Sequence, residues 1–138
     1  MNSAVLFISP HLQDAAALAG MIVSVPLELD HACEVRQARE RLLRFSYGAV
    51  LTEATLPDGT WLDVLNAVNE LASCSALIVT KRSADDLFWA EVLNQGAYDL
   101  LAQPFDTGEV RRILSNACAQ STAASSPVAR PRFIALAM

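Results

Sequence analysis

The sequence predicts a doubly wound α/β domain, on three observations. Short apolar runs alternate about five times with longer stretches of helical character. The runs are continuous more than alternating, as expected of strands buried on both faces. The chain has 138 residues, 53% apolar and 18% charged, which is long enough and apolar enough for one domain with a full core. Strands and helices alternating at this spacing form βαβ units. Their right-handed crossovers place helices on both faces of a parallel five-stranded sheet, giving a three-layer sandwich.

The candidate strands are residues 5–8, 27–32, 49–52, 76–80 and 98–102, with candidate helices at 13–23, 34–45, 61–72, 84–95 and 106–119. The second helix shows the 3.6-residue period: Val35, Ala38, Leu42 and Phe45 share a stripe, and Arg36, Arg39, Glu40 and Arg44 face away. Ser83 with Asp86 is a candidate N-cap, and Asp106 with Glu109 has capping-box spacing. Gly96 and Gly48 stand where helix C-cap glycines belong. The apolar stretch 15–25 lies between Asp14 and Pro26 and is shorter than the ~20 residues a membrane span needs, so it reads as a buried helix. The domain is expected over residues 1–119. From Gln120 the composition shifts to Ser, Ala, Thr and Pro, which reads as a linker or C-terminal tail over 120–138. The closing apolar run 133–138 fits either a docking arm or the first strand of a further domain.

Several function classes are disfavoured. A net charge of −5 lacks the basic footprint of non-specific nucleic-acid binding. Cys33, Cys74 and Cys118 form no C-x-x-C pair, so neither a zinc site nor a redox motif is expected, and the thiols read as those of a reduced, cytoplasmic protein. The apolar run 4–8 has no basic region before it and is too short for a signal peptide. No G-x-G-x-x-G or G-x-x-x-x-G-K-[ST] occurs, and Ser9-Pro10-His11-Leu12 is no phosphate cradle, which argues against a flavodoxin-like enzyme or cofactor binder. In open α/β sheets the functional site lies at the carboxyl ends of the strands. That directs attention to the loops after Ile8, Thr52, Thr80 and Ala102.

Three segments near those ends carry a resemblance. Residues 49–59, AVLTEATLPDG, are similar to the third strand and following Leu/Met-Pro-x-Gly turn of response-regulator receiver domains, the CheY-like family. Residues 76–80, ALIVT, resemble the fourth strand with its switch hydroxyl, Thr80. Residues 96–106, GAYDLLAQPFD, resemble the Gly-Ala-x-Asp…Lys-Pro-Phe block. Each motif alone is weak, but three in order within a five-unit α/β pattern are specific. The resemblance covers about residues 4–119. It implies a (βα)5 domain with the flavodoxin-like strand order 2-1-3-4-5, and a cis peptide bond between Gln103 and Pro104.

The departures from the family pattern define a pseudo-receiver. The acidic pair that holds magnesium in the family is replaced by Ser9 and Pro10. Magnesium takes carboxylate oxygens in an octahedral shell, which a hydroxyl and a proline ring do not supply, and His11 is a poor ligand for so hard a cation. Glu53 stands at the phospho-acceptor position. Its extra methylene displaces the carboxylate by ~1 Å or more from the geometry of an in-line transfer. Gln103 replaces the family lysine and Leu100 the aromatic switch residue. Without metal and lysine, the charge that builds on a transferring phosphoryl group goes unneutralised. Magnesium binding is therefore not expected, nor any other cofactor, metal or enzymatic activity.

The residue roles leave alternatives. Glu53 is either a built-in mimic of the phosphorylated state, hydrogen-bonded by Thr80, or a solvated carboxylate. Thr80 is either a switch or a strand-end hydroxyl capping the next turn. His11 lacks a second ligand or base at a readable spacing, and His31 reads as a surface residue. Phe88 and Trp89 are adjacent, so they cannot face the same side of a helix, and the exposed one marks a partner surface. By resemblance, Leu87, Trp89 and Val92 with Arg111 and Arg112 are candidates for the partner face. The functional expectation is a receiver-like module of a two-component phosphorelay, acting by protein–protein interaction without aspartyl phosphorylation. Its partner would be a histidine kinase, an output domain or another regulator, with a homodimer as a further expectation from the family. Neither nucleic acid nor membrane is expected to bind this domain. The alternatives are a regulatory fragment of a longer response regulator, and a conventional receiver phosphorylated at an atypical site.

Overall fold

A computed structural model describes residues 3–71, 75–82 and 86–124. Among the described residues, seven strands and five helices run in the order β1 (Ser3–Ile8), α1 (Leu12–Met21), β2 (Leu27–Ala32), α2 (Val35–Arg44), β3 (Ala49–Glu53), β4 (Thr55–Leu56), β5 (Gly59–Thr60), α3 (Trp61–Leu71), β6 (Ala76–Lys81), α4 (Asp86–Asn94), β7 (Asp99–Ala102) and α5 (Thr107–Ala124). Five strands form one parallel sheet in the order β2-β1-β3-β6-β7. This is the predicted order 2-1-3-4-5 once the small antiparallel pair β4–β5 is set aside. That pair, Thr55–Leu56 against Gly59–Thr60, was not anticipated, because two-residue strands leave no periodic signal.

The sheet separates two cores. One face packs against α2, α3 and α4 through residues such as Leu6, Ile8, Val50, Val79, Val64 and Val92. The other packs against α1 and α5 through Phe7, Leu51, Ile78, Leu101, Leu18 and Leu114. Consecutive β1 residues Val5 to Ile8 are all fully buried because they point alternately into these two cores. Each such side chain contributes roughly 1.5–3 kcal/mol on burial, which makes β1 the anchor of the sheet. The outer strand β2 is half exposed, and its Asp30 takes hydrogen bonds from Tyr47 Oη (2.5 Å) and Arg41 Nη1 (3.2 Å). Burial and the Asp30 carboxylate push the Tyr47 phenol well above its usual range.

Several local expectations need correction. Phe45 does not continue the buried stripe of α2: it is the extended C-cap residue and lies exposed, so only Val35, Ala38 and Leu42 of the stripe are buried. Gly96 has φ +111° at the end of α4, as a C-cap glycine does, but Gly48 has no positive φ. Gly48 is instead required by a close approach, since a Cβ there would stand 2.9 Å from Cys118 Sγ. The 15–25 stretch is only partly a buried helix: α1 ends at Met21, and Val23 is exposed. At the other end α5 runs to Ala124, past the predicted end at Ala119 and into the segment read as linker. Asp106 caps it by accepting the Glu109 amide at 2.9 Å. The Ser83 cap, Cys74 and the run 133–138 lie outside the described residues. Among the described residues no helix is long and apolar enough to cross a membrane.

Candidate functional site at the carboxyl ends of four strands

Strand parity selects the side chains that meet at the carboxyl edge of the sheet. Phe7, Leu51, Ile78 and Leu101 all point into the core shared with α1 and α5. The residue two positions further along each strand faces the same side. Those residues are Ser9, Glu53, Thr80 and Gln103. Ser9 and Gln103 lie one residue past β1 and β7, but their amides extend the ladder, to Ala32 O (2.9 Å) and Lys81 O (3.3 Å). Because the strands neighbour one another as β1-β3-β6-β7, the four side chains stand in the order Ser9, Glu53, Thr80, Gln103. The structure thus brings together four of the residues singled out in the sequence.

Ser9 is fully buried and does two jobs. Its hydroxyl donates to Glu53 Oε2 and accepts the His11 amide at 3.0 Å, fixing the turn into α1. Its carbonyl accepts a hydrogen bond from His31 Nε2 at 2.8 Å, which sets the Nε2–H tautomer. His31 is therefore not a simple surface residue: it is partly buried, 6.1 Å from the Phe7 ring, and supports the Ser9 turn. Neighbouring Pro10 is exposed. Glu53 is partly buried, so it is not the fully solvated carboxylate that one reading of the sequence allowed.

On the other side of Glu53 the chemistry is different. Thr80 is the register partner of Glu53 and is fully buried, yet its hydroxyl has no hydrogen-bond partner among the described residues. It does not bond Glu53, and residues 83–85 of the next turn lie outside the described residues. Gln103 is buried as well, and its Nε2 is also without a partner among the described residues. The Gln103–Pro104 bond is cis. Leu100 lies against the α2–α4 core, on the opposite face of the sheet from the four site residues.

The nearby cations are engaged elsewhere. Lys81 Nζ stands 4.4 Å from the centroid of Phe88, which in turn meets Trp61 edge-on at 6.4 Å. Arg82 pairs with Asp14 at 3.1 Å. That pair ties the first turn of α1 to the residue that follows β6. Sequence reasoning missed it, because nothing in the spacing of residues 14 and 82 announces a contact. Asp58, in the turn matched by motif, is also not part of the four-residue site. Its carboxylate accepts the amides of Val35 (2.8 Å) and Arg36 (3.1 Å) and so caps α2, whose own N-cap residue Glu34 makes no side-chain cap. Desolvation would raise its carboxyl, but those amides, its own amide and the Arg36 charge hold it below the usual 3.8.

The predicted partner face is only partly a surface. Leu87 and Trp89 are 81% and 46% exposed, but Val92 is fully buried in the core and cannot belong to an exposed face. Leu87 and Trp89, two positions apart, lie on different flanks of α4, whereas Trp89 and exposed Leu93 share one. Arg111 is turned away, its Nε donating to Met21 O at 2.8 Å, while Arg112 is exposed.

As a metal site the donor set does not fit. It offers one carboxylate, two neutral hydroxyls and an amide, where magnesium takes several carboxylate and water oxygens. Among the described residues no group of three or more His, Cys, Asp or Glu is placed to hold a metal ion.

Comparison with solved structures decides the fold. The signal receiver domain of a Vibrio parahaemolyticus protein superposes with a TM-score of 0.85 over 94% of this chain and 100% of its own, at 16% identity. This chain has the CheY-like receiver fold. Further receiver structures agree: a receiver domain of an HD domain-containing protein from Pseudomonas fluorescens Pf-5 (TM-score 0.82, 20% identity, 92% and 94% coverage) and the beryllofluoride-activated NtrC4 receiver domain dimer (0.78, 18%, 86% and 98%). In sequence, the chain is 33% identical over 93 residues to the response regulator protein PilR of Pseudomonas aeruginosa, covering 66% of this chain. It spans only about one fifth (20%) of that relative's length. No protein-family model matches the chain.

Proposed function

We propose that this chain is a receiver-like signalling module of a two-component pathway that works by protein–protein contact and without aspartyl phosphorylation. The observation that carries the proposal is the Ser9 hydroxyl bonded to Glu53. At the position of a metal-binding acid in the receiver family stands a neutral donor, and it holds the carboxylate that stands where the phospho-acceptor would be. A phosphoryl group would have to displace that bond and develop charge with neither the metal nor the lysine to offset it. The module is accordingly a non-enzyme that needs no magnesium and acts in the cytoplasm, with a kinase, an output domain or another regulator as its protein partner.

The match to about one fifth of PilR favours a compatible second reading, in which the domain is the regulatory part of a longer response regulator. The test of the main proposal is a titration with magnesium and then beryllofluoride, followed by backbone amide NMR shifts and tryptophan fluorescence. Trp61 reports on the loop, since its amide bonds Ala54 O at 3.0 Å. The expected result is no change at Ser9, Glu53 or Thr80 at millimolar magnesium. Saturable shifts confined to those loops would mean a working acceptor pocket and would overturn the proposal.

A further inference from the structure

The site has two kinds of donor on either side of one carboxylate. On the β1 side, the Ser9 hydroxyl is engaged with Glu53. On the β6–β7 side, the Thr80 hydroxyl and the Gln103 amide nitrogen are buried and have no partner among the described residues. Buried polar groups are normally hydrogen-bonded, and each unsatisfied one costs free energy. Both point to the same side of the sheet as Glu53, and Thr80 is its direct register partner. What these donors lack among the described residues is an acceptor, and Glu53 is a carboxylate with several lone-pair sites.

We propose that Thr80 and Gln103 form a second seat for the Glu53 carboxylate, and that Ser9 is the latch that holds Glu53 away from it. The reach follows from the sheet: Thr80 is the register partner of Glu53 on the neighbouring strand, about 4.8 Å across, and Gln103 stands one strand further on the same face. Moving from one seat to the other is a side-chain rotation within the carboxyl edge of the sheet. It exchanges the Ser9 bond for donors from Thr80 and Gln103; the Ser9 seat is the resting position, and a partner that binds the other position more tightly shifts the population toward it. The move links the His11 turn and α1 on one side to the end of β6 on the other, and β6 leads on to α4, where Trp89 and Leu93 are exposed. This inference rests on the phosphorylation-independent reading and names its regulation: the ligand that occupies the seat is the chain's own carboxylate.

The test follows the side-chain amide resonances of Gln103 by 15N NMR in the whole chain, comparing wild type, Ser9→Ala and the double variant Ser9→Ala/Glu53→Ala. Releasing the latch should move the Gln103 side-chain NH downfield, and the double variant should lose that shift. If Ser9→Ala loses the dispersed spectrum of a folded protein, Ser9→Cys, which keeps the volume with a much weaker donor, takes its place. An unmoved Gln103 resonance in a folded latch variant overturns the proposal. So does a shift that persists without Glu53, since water or an ion would then fill the seat. Neither outcome depends on magnesium or beryllofluoride, so failure here is separable from failure of the function proposed above.

Discussion

Replacing Thr80 by Val should stabilise this protein, the reverse of what loss of a working hydroxyl would do. The hydroxyl is fully buried and has no partner among the described residues, while Val matches threonine in shape. A hydroxyl buried without a hydrogen bond costs roughly 1–3 kcal/mol. Thr80 stands at the end of a strand beside a carboxylate, not deep among hydrocarbon, which places the expected gain near the low end, about 1 kcal/mol. With a urea m-value of about 1.5 kcal/mol/M, the unfolding midpoint should rise by about 0.7 M with m unchanged. The assay is equilibrium urea unfolding followed by tryptophan fluorescence and by circular dichroism, whose agreement checks two-state behaviour. A midpoint that falls by a similar amount would refute the reasoning, because the hydroxyl would then hold a hydrogen bond in solution.

Two more outcomes follow from single residues. Asp58→Ala removes the cap of α2 and should cost about 1 kcal/mol at neutral pH, and less if solvent screens this exposed carboxylate strongly. Because the folded carboxyl is held below 3.8, its stabilisation is complete above that value and is lost as pH falls through the lower folded value. The gap between wild type and variant in urea midpoints should therefore close at low pH, and a gap that stays constant would refute the cap. Burial pushes the Cys118 thiol up to about 11, whereas Cys33 is exposed. Alkylation at pH about 8 should mark Cys33 and spare Cys118 until the protein unfolds; equal labelling of the two in peptide maps would contradict the packing of α5 on Gly48.

The features legible in the sequence were those set by local periodicity and covalent chemistry. Continuous apolar runs gave β1, β3 and β6, because a strand covered on both faces has no polar side to show, while the edge strand β2 carries Glu28, Asp30 and His31 and was legible by its place in the βα rhythm. The stripe Val35, Ala38 and Leu42 gave the buried face of α2. The parity that gathers Ser9, Glu53, Thr80 and Gln103 was also present, two residues beyond Phe7, Leu51, Ile78 and Leu101, though only a sheet in the order β2-β1-β3-β6-β7 turns it into a site. Tertiary structure decided the rest. It placed Val92 in the core, since the tilt of α4 on the sheet is not written in its own period. It spent Asp58 on a helix that starts 23 residues earlier, and Gly48 on a close approach to Cys118. Above all it decided which neighbour the Glu53 carboxylate bonds. A hydrogen bond between residues 9 and 53 depends on two side chains meeting across adjacent strands, and no local pattern records which of several donors a carboxylate will take.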